Sequence, residues 1–141
     1  MTTSTSVLLL SGDGDSAEMY AVGLSLAGFQ PQVAADASHM RSCLASGPPQ
    51  AIVADFIAGW DPGWELLREL RGRADTCDTP VVLIVSSLTA SIRARAEELG
   101  YAALLTKPCL PDALAGALRS ALQSDSSSDN QCRHGYVTGH P

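Results

Sequence analysis

The chain is built from short, unbroken apolar runs separated by amphipathic stretches. Residues 7–10, 51–54, 81–85 and 102–105 are apolar runs of strand length, each closed by an acid, a hydroxyl or turn residues. The run Val81-Val82-Leu83-Ile84-Val85 shows no polar alternation and is rich in β-branched residues, the pattern of a strand covered on both faces. A shorter strand is predicted at residues 32–34. Between the runs, apolar residues recur at helical spacing: Met19, Val22, Leu26 and Ala27 before Gly28; Met40, Cys43 and Leu44 before Gly47-Pro48-Pro49; Leu66, Leu67 and Leu70; Ile92, Ala96 and Leu99 before Gly100; and Leu114, Leu118, Ala121 and Leu122 after Pro111-Asp112. Asp15 or Ser16 is expected to cap the first helix and Ser38 the second.

Five strand-helix units in alternation predict an α/β fold, a parallel sheet wound right-handedly with helices on both sides. Residues 7–123 carry all of this pattern, so they are expected to form one domain after a flexible segment 1–6. From Ser124 the composition turns to Ser, Asp and Asn without periodicity, and residues 124–141 are expected to be disordered. The tail's Cys132, His134 and His140 are too scattered to argue for a metal site.

Composition narrows the function classes. A 45% apolar, 17% charged chain of 141 residues can bury a core, and a net charge of −6 disfavours direct binding to nucleic acid, which needs clustered cations. No apolar run approaches the ~20 residues of a membrane helix, and residues 1–6 lack the basic stretch of a signal peptide. A cytoplasmic protein without membrane insertion is expected. Cys43, Cys77, Cys109 and Cys132 show no CxxC spacing and are expected to be free or buried thiols in a reducing compartment.

The candidate chemistry lies at the strand ends. Asp55 closes the third run, Ser11-Gly12-Asp13-Gly14-Asp15 closes the first, and Lys107, the sole lysine, follows the fifth. Pro108 biases Lys107 toward an extended backbone. In an open α/β sheet, ligands bind outside the carboxyl ends of the strands, so one cation and several carboxylates converge where an anion can be handled. The plain alternatives are a turn cap at Asp55, a structural ion pair with Lys107, and helix capping by Asp13 or Asp15. Trp60 and Trp64 flank the loop after Asp55 and fit either packing or a protein contact.

Asp55, Gly63-Trp64-Glu65-Leu66-Leu67-Arg68, Thr79-Pro80 and Thr106-Lys107-Pro108 together make residues 7 to about 123 resemble the receiver domain of two-component response regulators. The resemblance implies a flavodoxin-like (βα)5 fold with sheet order 2-1-3-4-5. It implies Asp55 as phosphoacceptor, Lys107 as partner of carboxylate and phosphoryl group, and Mg²⁺ held by Asp55 and Asp13. It also implies a sensor histidine kinase or phosphotransfer protein as donor and a downstream protein as target. The only enzymatic activity would be Mg²⁺-dependent self-phosphorylation and dephosphorylation at Asp55.

Four positions depart from the family pattern. The acidic pair after the first strand falls on Ser11 and Gly12, the switch hydroxyl on Val85 with Ser86 and Ser87 just beyond, and the switch aromatic on Leu104. These departures support an alternative, a phosphorylation-independent pseudo-receiver that acts as a protein interaction module. The Asp13-Gly14-Asp15 segment also resembles the DxD motif of haloacid dehalogenase-type phosphatases, but the acidic ligands that family needs late in the chain are missing.

Overall fold

The computed structural model describes residues 5–56 and 62–126. Five strands alternate with five helices: β1 Thr5–Ser11, α1 Gly14–Leu26, β2 Phe29–Ala34, α2 Ala37–Ala45, β3 Ala51–Phe56, α3 Pro62–Arg71, β4 Val81–Val85, α4 Ala90–Leu99, β5 Ala103–Thr106 and α5 Pro111–Ser126. All strand pairs are parallel, and the sheet runs β2-β1-β3-β4-β5. The order reverses between β1 and β3, which opens a crevice at their carboxyl ends.

Alternate strand residues enter two different cores. Leu8, Leu10, Ile52, Ala54, Leu83 and Val85 pack under α2, α3 and α4, whereas Val7, Leu9, Ala51, Val53, Val82 and Ile84 pack under α1 and α5. This explains the unbroken apolar runs, because a strand buried on both faces cannot alternate with polar residues. Gly28, with φ +100°, and Gly100, with φ +81°, take the left-handed turns that end α1 and α4, as the sequence predicts.

Several expectations are corrected. Met19, Val22 and Leu26 point outward, 44%, 54% and 84% exposed, while Ala17, Tyr20 and Leu24 form the buried face of α1. The helix is apolar nearly all round, so spacing alone left two solutions. The choice falls to close packing, because Gly23 lies against Pro111 at the start of α5, with no room for a side chain. Asp13 rather than Asp15 or Ser16 caps α1, and Asp36 rather than Ser38 caps α2. In each case the acid sits one position before the first helical residue, where its oxygen reaches a free N–H. β2 begins at Phe29, three residues earlier than expected, and Thr5 and Ser6, expected to be flexible, belong to β1.

Trp64 is 7% exposed and packs in the α3 core, with the Arg95 guanidinium 5.6 Å from its ring centroid. Trp60, Cys132, His134 and His140 lie outside the described residues. Cys43 and Cys109 are free thiols as expected, but Cys77 is disulfide-bonded. Among the described residues no helix is long and apolar enough to cross a membrane.

Arg71 is an unpredicted rivet. Its guanidinium donates to the carbonyls of Leu99 at 2.8 Å, Thr79 at 2.8 Å, Cys77 at 3.0 Å and Gly100 at 3.1 Å, tying the end of α3 to the approach to β4 and the end of α4.

Candidate functional site

The sheet register assembles the site. Ser11 is the residue of β1 that pairs with Asp55 of β3, and both continue the odd-numbered positions whose side chains face α1 and α5. Lys107 is the first residue past β5, and its N–H donates to the Val85 carbonyl at 2.9 Å, which keeps it in line with the strand. The peptide joining it to Pro108 is cis.

Three side chains therefore meet over the α1/α5 face. Asp55 is 0% exposed. Lys107 Nζ lies 2.9 Å from Asp55 Oδ1, and its side chain keeps 22% of its surface in solvent. Oδ1 receives no aligned hydrogen bond, so this contact is ionic rather than directional. Ser11 Oγ lies 3.2 Å from Asp55 Oδ2 and can donate to it. The same hydroxyl accepts from the Asp13 N–H at 3.2 Å and stands 3.1 Å from the Asp13 carbonyl.

Asp13 faces the other way. Its Oδ2 accepts from Ser16 Oγ at 2.6 Å and from the Ser16 N–H at 3.3 Å, closing the first turn of α1. The Ser16 hydroxyl bond is the main reason its carboxyl is held below the usual range, with Lys107 a smaller electrostatic influence. Asp15 is exposed in the first turn. Beside the site, Tyr20 is buried and donates to the Cys109 carbonyl at 3.0 Å. Burial pushes its phenol up to about 12 and also raises the Cys109 thiol.

The resemblance implied a Mg²⁺ ion, and the residues present do not fit one. Mg²⁺ is a hard cation that wants oxygen ligands in near-ideal octahedral array. Among the described residues, the carboxylate of Asp55 has one oxygen against an ammonium and the other against a hydroxyl, and Oδ2 of the second candidate ligand, Asp13, is engaged as a cap. Among the described residues no group of three or more His, Cys, Asp or Glu side chains could hold a metal ion.

The degenerate positions lie apart from this cluster. Val85 is 1% exposed and Leu104 half-buried, both packed into the core on the α2/α3/α4 side, the face opposite Asp55. Ser86 is exposed in the loop after β4.

Comparison with solved structures gives the architecture its relatives. The signal receiver domain of a histidine kinase from Syntrophus aciditrophicus superposes with a TM-score of 0.75 at 23% identity, covering 90% of this chain and 96% of that one. The chemotaxis response regulator CheY4 of Vibrio cholerae superposes with a TM-score of 0.76 at 19% identity, covering 84% and 99%. This chain has the fold of a response-regulator receiver domain. In sequence, the chain is 24% identical over 125 residues to the phosphate regulon transcriptional regulatory protein PhoB of Pseudomonas aeruginosa, which is 89% of this chain and 55% of PhoB. The chain thus spans about half the length of the curated relatives it matches. No protein-family model matches it.

Ser11 is the site residue whose role the sequence left open. It was visible there only as a departure from the acidic pair, but it continues the odd-numbered face after Val7 and Leu9. That parity carries the signal that it meets the next strand's Asp55.

Proposed function

We propose that this receiver domain accepts a phosphoryl group on Asp55 from a sensor histidine kinase or phosphotransfer protein and signals to a downstream protein target in the cytoplasm. The observation that carries this reading is the Asp55–Lys107 pair at the carboxyl edge of the sheet, where a fully buried acid lies 2.9 Å from the sole lysine. A carboxylate oxygen of Asp55 attacks the phosphorus of a phosphohistidine. The P–N bond breaks, its electron pair stays on the imidazole, which then takes up a proton, and an acyl phosphate forms.

Lys107 supplies positive charge to the transferred oxygens, the kind of positioning and neutralisation on which phosphoryl transfer depends. Because Asp55 is sealed, Lys107 must first move off Oδ1, and its partial exposure gives it room to do so. The test is intact mass after incubation with a small-molecule phosphodonor. A single phosphoryl adduct on the wild type, absent from Asp55→Asn, is expected. A folded wild type that takes no adduct sinks the reading.

One observation favours a second reading, a pseudo-receiver that binds partners without phosphorylation: both oxygens of Asp55 are already occupied within the chain, by Lys107 and Ser11. On that reading Asp55→Asn leaves partner binding unchanged and no adduct forms.

A further inference from the structure

We propose that the Asp55 pocket is closed to divalent cations and that Ser11 is the residue that closes it. The inference deepens the phosphoacceptor reading and rests on it for its functional consequence, which is that transfer to Asp55 does not respond to Mg²⁺.

Three features converge. First, the register pairs residue 11 of β1 with Asp55, and strand parity puts both side chains on the α1/α5 face. An acid at residue 11 would set two carboxylates side by side. A serine instead brings a neutral hydroxyl 3.2 Å from Oδ2, which, when it donates there rather than to the Asp13 carbonyl at 3.1 Å, takes up the oxygen a metal would need. Second, Asp13 Oδ2 accepts both Ser16 bonds, so bringing that oxygen to the pocket leaves the first turn of α1 uncapped. Third, the Lys107 ammonium is 2.9 Å from Oδ1, so a divalent ion on that oxygen would sit against a like charge.

The pocket therefore meets the Asp55 charge with one ammonium and one hydroxyl. Ser11 replaces part of what a cation supplies elsewhere, namely a donor aimed at the developing charge.

The experiment is thermal melting of the unphosphorylated full chain in EDTA and in about 10 mM Mg²⁺, where a ligand that binds only the folded state raises Tm. The wild type is expected to melt at the same temperature in both. Ser11→Asp is expected to melt lower in EDTA, through repulsion from Asp55, and to gain at least about 4 °C in Mg²⁺.

A wild-type shift of that size, abolished by Asp13→Asn, overturns the proposal. So does a folded Ser11→Asp variant indifferent to Mg²⁺. Should Ser11→Asp not fold, Mg²⁺ titration of the wild type read on its backbone amide resonances decides: saturable shifts at Gly12, Asp13 and Gly14 overturn the proposal, and a flat titration upholds it. Every readout is on unphosphorylated protein, so this inference and the phosphoacceptor reading fail separately.

Discussion

Removing the two partners of the Asp55–Lys107 pair one at a time should give unequal costs. Asp55 is 0% exposed, while the Lys107 side chain keeps 22% of its surface in water. At 2.9 Å and an effective dielectric near 20, their gross attraction is about 6 kcal/mol before desolvation is subtracted. Lys107→Met keeps the length of the side chain but strands a buried carboxylate, which costs about 3–5 kcal/mol. Asp55→Asn removes the buried charge instead. The lysine then extends to solvent and the amide keeps a partner in Ser11, so the expected cost is only about 1–2 kcal/mol. Once residue 55 is neutral the lysine has little left to stabilise, so the double variant should lie close to Asp55→Asn alone. Urea denaturation with a common m-value measures all three as a double-mutant cycle. If Lys107→Met costs no more than Asp55→Asn, the carboxylate is finding water or another partner, and the account of a sealed ion pair is wrong.

Three further perturbations test the frame around the site. Gly23→Ala should destabilise by about 1–3 kcal/mol, because a Cβ there would overlap Pro111; helix propensity alone predicts a gain of about 1 kcal/mol, so the sign of the change in urea midpoint decides between the two effects. Arg71→Lys should cost at least about 2 kcal/mol by the same assay, since an ammonium cannot span carbonyls on two separate segments, and a neutral result would remove the rivet. Tyr20→Phe tests a pH dependence: with its folded-state phenol raised to about 12 by burial, Tyr20 contributes stability that is fully present below the unfolded pKa near 10 and is lost as pH rises toward 12. The variant should lose the Cys109 hydrogen bond at neutral pH yet decline less steeply than wild type above pH ~10, and parallel declines would refute the assignment.

Much of the fold was readable because burial on two faces leaves a one-dimensional signature. The run from Val81 to Val85 is a strand of the same extent in the structure, and Gly28 and Gly100 mark helix ends with positive φ. What failed was the choice between faces in α1, where Met19, Val22 and Leu26 and the triplet Ala17, Tyr20 and Leu24 are both apolar. Tertiary contacts separate them, Gly23 against Pro111 and the Tyr20 hydroxyl on the Cys109 carbonyl, and no local window contains either. The site divides in the same way. Asp55 and Lys107 stand out as charges at the ends of apolar runs, so their meeting followed from strand order. The diversion of Asp13 to Ser16 depends on where α1 begins, a boundary of one or two residues that sequence leaves open.

The degenerate switch positions bear on how a change at Asp55 would spread. Val85 has no donor, and its side chain belongs to the face opposite Asp55, as does that of Leu104, so neither offers a polar arm that could follow the charge. The polar connections of Asp55 among the described residues run elsewhere. One goes to Lys107, whose backbone is fastened to Val85 and so to the end of β4. The other goes through Ser11 to the Asp13 N–H, and Asp13 in turn caps α1 through Ser16. A phosphoryl group drawing the Ser11 proton away from Oδ2 would therefore pull first on the amino end of α1. Since α1 also presents the exposed apolar residues Met19, Val22 and Leu26, the helix nearest the charge change is the one with apolar surface to offer, whereas the β4 and β5 positions are committed to the core.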